Sequence, residues 1–547
     1  MSVEPTASAP ARAEGLAAPE GPRLAGRAAA RNTAIFSILT GLSRIAGLVR
    51  EIVASSYFAT SGAFSAFTIA FQLPNVVRSL FADAALSAAF VPVFTELLEH
   101  GRKREAFRLA GSLFTLILCL LGGISALFIL FAPVIMPLFV GDTFTQELTD
   151  LTVGLSRVLF PIVVLLGLNG LLVGILNAYD HFAIPAFAPL VWNGVIIVAL
   201  VVLRQEFTGD DQMYAYAIGV LIGTIVQLGM CFPALARLDF RLRLAFDWRD
   251  PRVIQTLKLM LPVTLGLGII NFDLVINSVL GSLISEQAPR AIDAAFRIYM
   301  LPQGIFSVAL ATVLFPALAR LAARGDIAGL RATMANGVRQ IALMLIPMAT
   351  ITLVLAEPIT RLVYQRGAFN AHSTDLVSTA LFWFSFSLPF AGINLLLTRT
   401  FFSLQKPWTP TALAAGNIVL NLVVSLALYS PLGVAGPVIG TAAASAAMTA
   451  AQARWLRKDL HGSLQGRATL DAVARMLVAA FALGGVAYGV WASLDAALGT
   501  RLVAQIVAVG VAIVLGLAVY AGAVLALGIR EAHQVRQFVG GALQRFR

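Results

Sequence analysis

Charge is scarce in this chain of 547 residues. Asp, Glu, Lys and Arg together make up 12%, about half the roughly 25% usual in soluble proteins. That excludes a set of soluble domains, because there is too little charge to cover their surfaces. Cysteine is nearly missing too. Cys119 and Cys231 lie inside apolar runs and read as buried thiols, so a disulfide scaffold is excluded. The five histidines, His100, His181, His372, His461 and His533, are scattered over separate loops and the C-terminal tail, without metal-ligand spacing. There is no P-loop, which argues against ATP hydrolysis. No stretch reads as a cleavable signal peptide, and no connection on the outer side is long enough for a catalytic domain. The chain therefore reads as a non-enzyme that works from a gradient or a potential.

What is abundant is apolar sequence. Hydrophobic residues make up 59%, and the mean hydropathy is +0.85. The fold class that remains is an all-α polytopic membrane protein. A bilayer core about 30 Å thick takes about 20 apolar residues per helix. About fourteen stretches qualify, near 34–58, 65–97, 107–137, 149–177, 185–203, 213–236, 253–284, 290–320, 330–356, 373–403, 409–429, 433–453, 472–494 and 502–528. Residues 1–30 read as a flexible cytoplasmic tail, and 531–547 as a basic one.

The net charge of +11 would suggest nucleic acid in a soluble protein. Here it reads as topology, because Lys and Arg gather in cytoplasmic connections. With both termini cytoplasmic, the inner connections hold the basic groups Arg102–Arg108, Arg237–Arg252, Arg320–Arg331 and Arg454–Arg467. The outer ones hold Asp142, Glu147, Asp150, Glu206, Asp210 and Asp211.

An internal repeat is also visible. Phe71-Gln-Leu-Pro-Asn75 resembles Tyr299-Met-Leu-Pro-Gln303, and the stretch Tyr179–Asn193 resembles Ser403–Asn417, at nearly equal offsets. Each pair joins stretches six apart, so the two halves share an orientation. The expectation is a six-helix N-lobe over 31–240, a six-helix C-lobe over 250–456, a cavity between them, and two appended helices over 470–530.

Ionisable residues inside the bilayer need a partner or a wet cavity, at about 2.5–3.5 kcal/mol each on insertion scales. The first stretch carries Arg44, Arg50 and Glu51. The second adds Arg78 and Asp83 after Pro74, and the eighth adds Arg297 before Pro302. Proline at these sites removes a helix hydrogen bond and is expected to bend the chain, exposing backbone polar groups to a cavity. Any single arginine could be snorkelling or ion-paired. Four of them on three helices exceed what Glu51 and Asp83 can neutralise, and the excess points to an anionic ligand. Arginine suits phosphate because its planar fork donates two parallel hydrogen bonds. Arg157, Arg339 and Arg399 read as interfacial or lobe-stabilising. Asp273 is a lone carboxylate in an apolar stretch. Beside it, Asn417 and Asn421 share a helix face, and Thr441 could add another oxygen. This set reads either as a hydrogen-bonded aspartate or as a site for Na+ or H+ coupling.

The stretches Ser43–Glu51 (SRIAGLVRE), Ala70–Glu96, His181–Pro189 and Arg297–Arg320 resemble the MurJ (MviN) family of lipid II flippases. The likeness runs from about residue 32 to 460, and more loosely beyond. It implies the fold of the multidrug/oligosaccharidyl-lipid/polysaccharide exporter superfamily. It also implies transfer of undecaprenyl-pyrophosphate-linked peptidoglycan precursor across the bacterial inner membrane by alternating access. By that resemblance Arg44, Arg50, Arg78 and Arg297 hold the head group, Glu51 and Asp83 form gating ion pairs, and Asp273, Asn417, Asn421 and Thr441 match a sodium site. The sequence departs from the family pattern at Ser65 and Met300, where carboxylates are common, and at Asn421. Lipid II, membrane lipids and cell-wall synthesis enzymes are the implied partners, with membrane potential or cation flux as the energy source. Two other readings stay open: a flippase for another polyprenyl-diphosphate-linked oligosaccharide, and a non-transporting scaffold for cell-wall synthesis.

Overall fold

The computed structural model describes residues 22–533, apart from 82, 180, 239, 242–244, 461 and 463. Among the described residues there are helices and connections but no strand. This follows from long apolar stretches whose backbone groups must bond within the segment. The helices of the first half are α1 (Pro22–Phe58), α2 (Gly62–Phe81), α3 (Asp83–Glu99), α4 (Lys103–Ile135), α5 (Gln146–Leu159), α6 (Ile162–Ala178), α7 (Ala183–Leu203) and α8 (Met213–Ala236). The second half holds α9 (Pro251–Ser282), α10 (Ala288–Pro302), α11 (Val308–Ala323), α12 (Ile327–Val354), α13 (Ala356–Tyr364), α14 (Ala371–Ser403), α15 (Trp408–Leu432) and α16 (Ala435–Asp459). α17 (Gly466–Leu498) and α18 (Leu502–Ala526) follow.

Helix starts follow local chemistry. The side chains of Thr145, Asp250, Asp326 and Asn370 each accept a hydrogen bond from a first-turn N–H of α5, α9, α12 and α14. Each expected stretch falls on a helix or a broken pair of helices. The second is divided into α2 and α3, and the fourth is divided at Phe160-Pro161. The eighth passes through a π-helical turn, Gln303–Ser307, directly after Pro302. α2, by contrast, continues through Pro74. Among the described residues ten helical stretches are long and apolar enough to cross a bilayer, and the chain is a multi-pass membrane protein. The stretches outside that set are α1, α2 with α3, α9 and α16.

Two expectations change. α1 begins at Pro22, inside the segment read as a flexible tail, while residues 1–21 and 534–547 lie outside the described residues. Cys119 is exposed, whereas Cys231 is buried as expected. The outer surface of a membrane protein is apolar, so an apolar run does not separate a lipid-facing residue from a core one.

The two halves repeat one packing scheme. α1 packs on α7 as α9 packs on α15, and α7 meets α8 as α15 meets α16. α4 meets α6 as α12 meets α14, and α2 meets α5 as α10 meets α14. The single helix α14 does in the second half what α5 and α6 do together in the first. Lipid supplies no hydrophobic force to press helices together, so close backbone approach through small residues matters. At Gly436 a Cβ would lie 2.5 Å from the Leu428 carbonyl oxygen, so only glycine lets α16 sit this close to α15. Two apolar cores lie in the first half and one in the second. A fourth joins α12 to α17 and α18. The halves meet where α2 packs on α9 and α10, and α3 on α9.

Candidate functional site: an arginine-lined cavity between the halves

A cavity of about 640 Å³ lies between the halves. α1, α2 and α6–α8 form one wall, and α9 and α10 the other. Arg50, Glu51, Arg78 and Arg297, all named from sequence, line it. Glu51 is 4% exposed and is the hub. Its Oε1 accepts from Arg50 at 2.8 Å and pairs with Arg297 at 3.2 Å, and its Oε2 accepts from Arg290 at 3.1 Å. The Tyr216 hydroxyl donates to Oε1 at 3.4 Å. Arg50 also lies over the Trp192 ring, 4.8 Å from its centroid. Arg78 turns back one helical turn, and its Nε and Nη2 donate to Asn75 Oδ1 at 3.2 and 2.9 Å.

The arginines were read from sequence as exceeding the carboxylates, with an unpaired excess awaiting a ligand; Arg50 and Arg297 are not part of an unpaired set, because both are paired with Glu51. A guanidinium removed from water costs several kcal/mol unless it is matched and hydrogen-bonded. Arg50 finds its match beside it on α1, and Arg297 finds one across the halves in Glu51 and one on its own helix in Asp293. The excess of positive charge nevertheless stands. Around the hub, three guanidinium groups (Arg50, Arg290, Arg297) face two carboxylates, Glu51 and Asp293. Arg44 lies two turns before Glu51, outside the cavity wall. It has no ion-pair or hydrogen-bond partner among the described residues, and a Cβ on Gly304 would lie 3.0 Å from its Nη1. Arg44 thus rests against the π-helical turn of the other half. The side chain of Asp83, the other expected gating carboxylate, lies outside the described residues.

Sequence reasoning missed Arg290 and Asp293. Arg290 is fully buried and bonds Ser55 Oγ as well as Glu51, while its backbone N–H donates to Ser65 Oγ. Asp293 bonds Arg290 at 2.8 Å and Arg297 at 2.9 Å. A signal was present: residues 290, 293 and 297 share one helix face. It sat at the start of an apolar stretch, where charges read as interfacial.

Asp273 does meet the residues expected beside it. Asn421 Nδ2 donates to its Oδ1 at 3.1 Å, and Asn417 Nδ2 to its Oδ2 at 3.4 Å. Thr441 is one step further out, accepting from Asn277 at 3.2 Å. The amide oxygens of Asn277 and Asn417 are buried without a hydrogen-bond partner. A carboxylate with two unused amide oxygens on adjoining helices is a donor set that fits a small hard cation.

Comparison with known proteins agrees with this geometry. A family profile described as "Lipid II flippase MurJ" matches residues 54–525. A probable lipid II flippase of Rhizobium tropici is 32% identical over 74% of this chain and 76% of its own length. One from Rickettsia prowazekii is 30% identical over 76% of this chain and 81% of its own.

The chain belongs to the MurJ family of lipid II flippases.

A solved structure of a MurJ flippase in an inward closed conformation aligns with a TM-score of 0.71 at 22% identity, over 90% of this chain and all of that one. An inward-facing multidrug MATE transporter of the MOP superfamily aligns at 0.67 with 14% identity, over 79% of this chain and 99% of its own. At such identities the likeness shows the fold.

In this MurJ-family chain the halves also meet at one end, away from the basic connections. The Ala368 N–H donates to the Ser56 carbonyl at 2.8 Å, and the hydroxyls of Thr60 and Ser373 lie 2.8 Å apart. The Gly141 N–H donates to Ser282 Oγ at 2.8 Å. Gly367, with φ +61°, sits so close that a Cβ would lie 2.3 Å from the Ser56 oxygen. These contacts are made by small neutral groups, and they hold the halves together at that end.

Proposed function

We propose that this chain moves lipid II from the inner to the outer leaflet of the bacterial inner membrane by alternating access. The observation that carries this reading is that arginines from both halves converge on one cavity between them. A diphosphate crossing hydrocarbon alone meets a prohibitive barrier. Fixed guanidinium groups replace its hydration with oriented charge-assisted hydrogen bonds. Arg297 and Arg78 face the cavity and would take the diphosphate, and Arg44, against the π-helical turn, would meet it on approach. Arg50, held by Glu51 and Trp192, would set the positive potential of the wall. By the distribution of basic connections both termini face the cytoplasm. The neutral end contacts then form an outer seal, leaving the cavity to fill from the inside.

For resetting the cycle, Asp273 with Asn417 and Asn421, supported through Asn277 and Thr441, would bind Na+. Asp273 sits on α9, the helix that joins the halves, so a cation bound there would act on their relative position.

One experiment tests both parts: complementation of flippase-depleted bacteria. Arg44, Arg78 and Arg297 changed singly to Ala should each impair growth. Asp273→Ala should impair it and remove any sodium dependence of transport in reconstituted vesicles. Full rescue by every arginine variant defeats the cavity assignment. A sodium response unchanged in Asp273→Ala defeats the cation assignment.

A further inference from the structure

α10 carries Arg290, Asp293 and Arg297 on one face, and a single oxygen of Asp293 serves both neighbours. Its Oδ2 accepts from Arg290 Nη1 at 2.8 Å and from Arg297 Nε at 2.9 Å. The two arginines differ in reach. The Arg290 side chain stands in the cavity wall but is 1% exposed and stacks on Phe64, 3.8 Å from the ring centroid, so almost none of it is open to a ligand. The Arg297 side chain is 32% exposed and faces the cavity.

The two carboxylates differ as well. Glu51 sits on α1, so its bonds to Arg290 and Arg297 join the two halves, and they break if α1 and α10 separate. Asp293 rides on the same helix as its partners, so its bonds survive any rigid movement of the lobes. A guanidinium left alone in a low-dielectric wall would hold a diphosphate too firmly to release it. A carboxylate within reach turns binding into the exchange of one anion for another, which lowers affinity and speeds departure.

We infer that Asp293 is a positioning residue acting as the resident counter-anion of Arg297. It keeps that guanidinium aligned through the whole cycle, yields it to the substrate diphosphate, and takes it back to expel the substrate. The inference rests on the proposed lipid flippase reading and adds the means of release. Met300 offers a way to relocate the charge. It lies three residues beyond Arg297, lines the cavity and is half exposed, so a glutamate there would reach the same guanidinium from the other side.

The test uses the full chain in detergent, with farnesyl diphosphate as the binding probe, alongside complementation. Asp293→Asn should bind the probe on the order of tenfold more tightly, the scale of one lost charge competitor, and should fail to sustain growth. Adding Met300→Glu to Asp293→Asn should return both affinity and growth toward those of the unmodified chain. A merely structural role predicts the opposite coupling: affinity and growth fall together, and the relocated carboxylate rescues neither. If Asp293→Asn does not fold, Met300→Glu alone decides, because a second carboxylate beside Arg297 should weaken binding about tenfold. Affinity unchanged or increased in that variant overturns the inference. An unmodified chain that binds no farnesyl diphosphate overturns the diphosphate reading and this inference with it. Normal binding by the unmodified chain with no change in the variants overturns the inference alone.

Discussion

Two of the contacts between the halves of this molecule are built in opposite ways. At the centre they are joined by charge: Glu51 of α1 holds Arg290 and Arg297 of α10. At the end away from the basic connections they are joined by neutral groups, Ser56 with Ala368 and Thr60 with Ser373. The contrast has a physical reason. A hydroxyl or peptide contact is worth about 1 kcal/mol net, and both partners regain water when it opens, so such a seal can part many times. A buried ion pair cannot part cheaply unless another ion replaces the one that leaves. On the proposed function, the centre is where a charged substrate would gain leverage over the lobes, and the neutral end is where that leverage would be read out.

The largest effect should come from the centre. Glu51→Ala leaves Arg50, Arg290 and Arg297 with Asp293 as the remaining carboxylate among the described partners. It should cost about 3–5 kcal/mol, the scale for removing one partner of a buried pair. The check is the thermal midpoint of the full chain in detergent, which should fall further than for any seal variant. A midpoint equal to that of the unmodified chain would mean that the central pairs do not join the halves.

Next comes Gly367→Ala. A left-handed conformation costs an L-residue about 1–2 kcal/mol, and its Cβ would collide with the Ser56 carbonyl, which is backbone and cannot swing aside. The seal should stand open. A Thr60→Cys reporter, with Cys119 replaced beforehand, should then react with a membrane-impermeant maleimide added from outside. Thr60 is buried in the closed form, so the reporter should stay silent when Gly367 is intact. Equal labelling in both backgrounds would show that the close approach at Gly367 does not hold the end shut.

The smallest effect belongs to Thr60→Val. It removes one hydroxyl contact of about 1 kcal/mol and should leave growth unimpaired with a slightly lower thermal midpoint. A loss as large as that of Glu51→Ala would erase the distinction between the two joints.

Much of the architecture was legible in the sequence. Apolar stretches of bilayer length placed the helices, and paired motifs around Pro74 and Pro302 disclosed the repeat that the packing of α1–α8 and α9–α16 shows. A bend was expected at Pro74 and Pro302 alike, and the break at Phe160-Pro161 was not placed, because a proline in an apolar run bends, ends or merely interrupts a helix according to its neighbours. α2 runs on through Pro74, while α10 passes into a π-helical turn. In the site, Arg50, Glu51, Arg78 and Arg297 were found because charge in the middle of a span is conspicuous. Arg290 and Asp293 were missed because they stand where the span begins, and only the fold shows that this level is buried. Helical spacing put Asn417 and Asn421 on one face, the family resemblance set Asp273 beside them, and both amides do reach that carboxylate, whereas Thr441 meets its neighbour Asn277.

By itself the amino-acid order determined the solvent in which this chain lives, its near-duplicated halves, and the surplus of arginine at membrane depth. Those are properties of hydropathy and spacing along one dimension. Which guanidinium faces which carboxylate, and which remains open to a ligand, was decided by the packing of α2 and α3 against α9 and α10, which brings Glu51 of α1 to Arg290 and Arg297 across the seam. Pairing energies depend on distance and on exclusion of water, and neither exists until separate helices have been brought together.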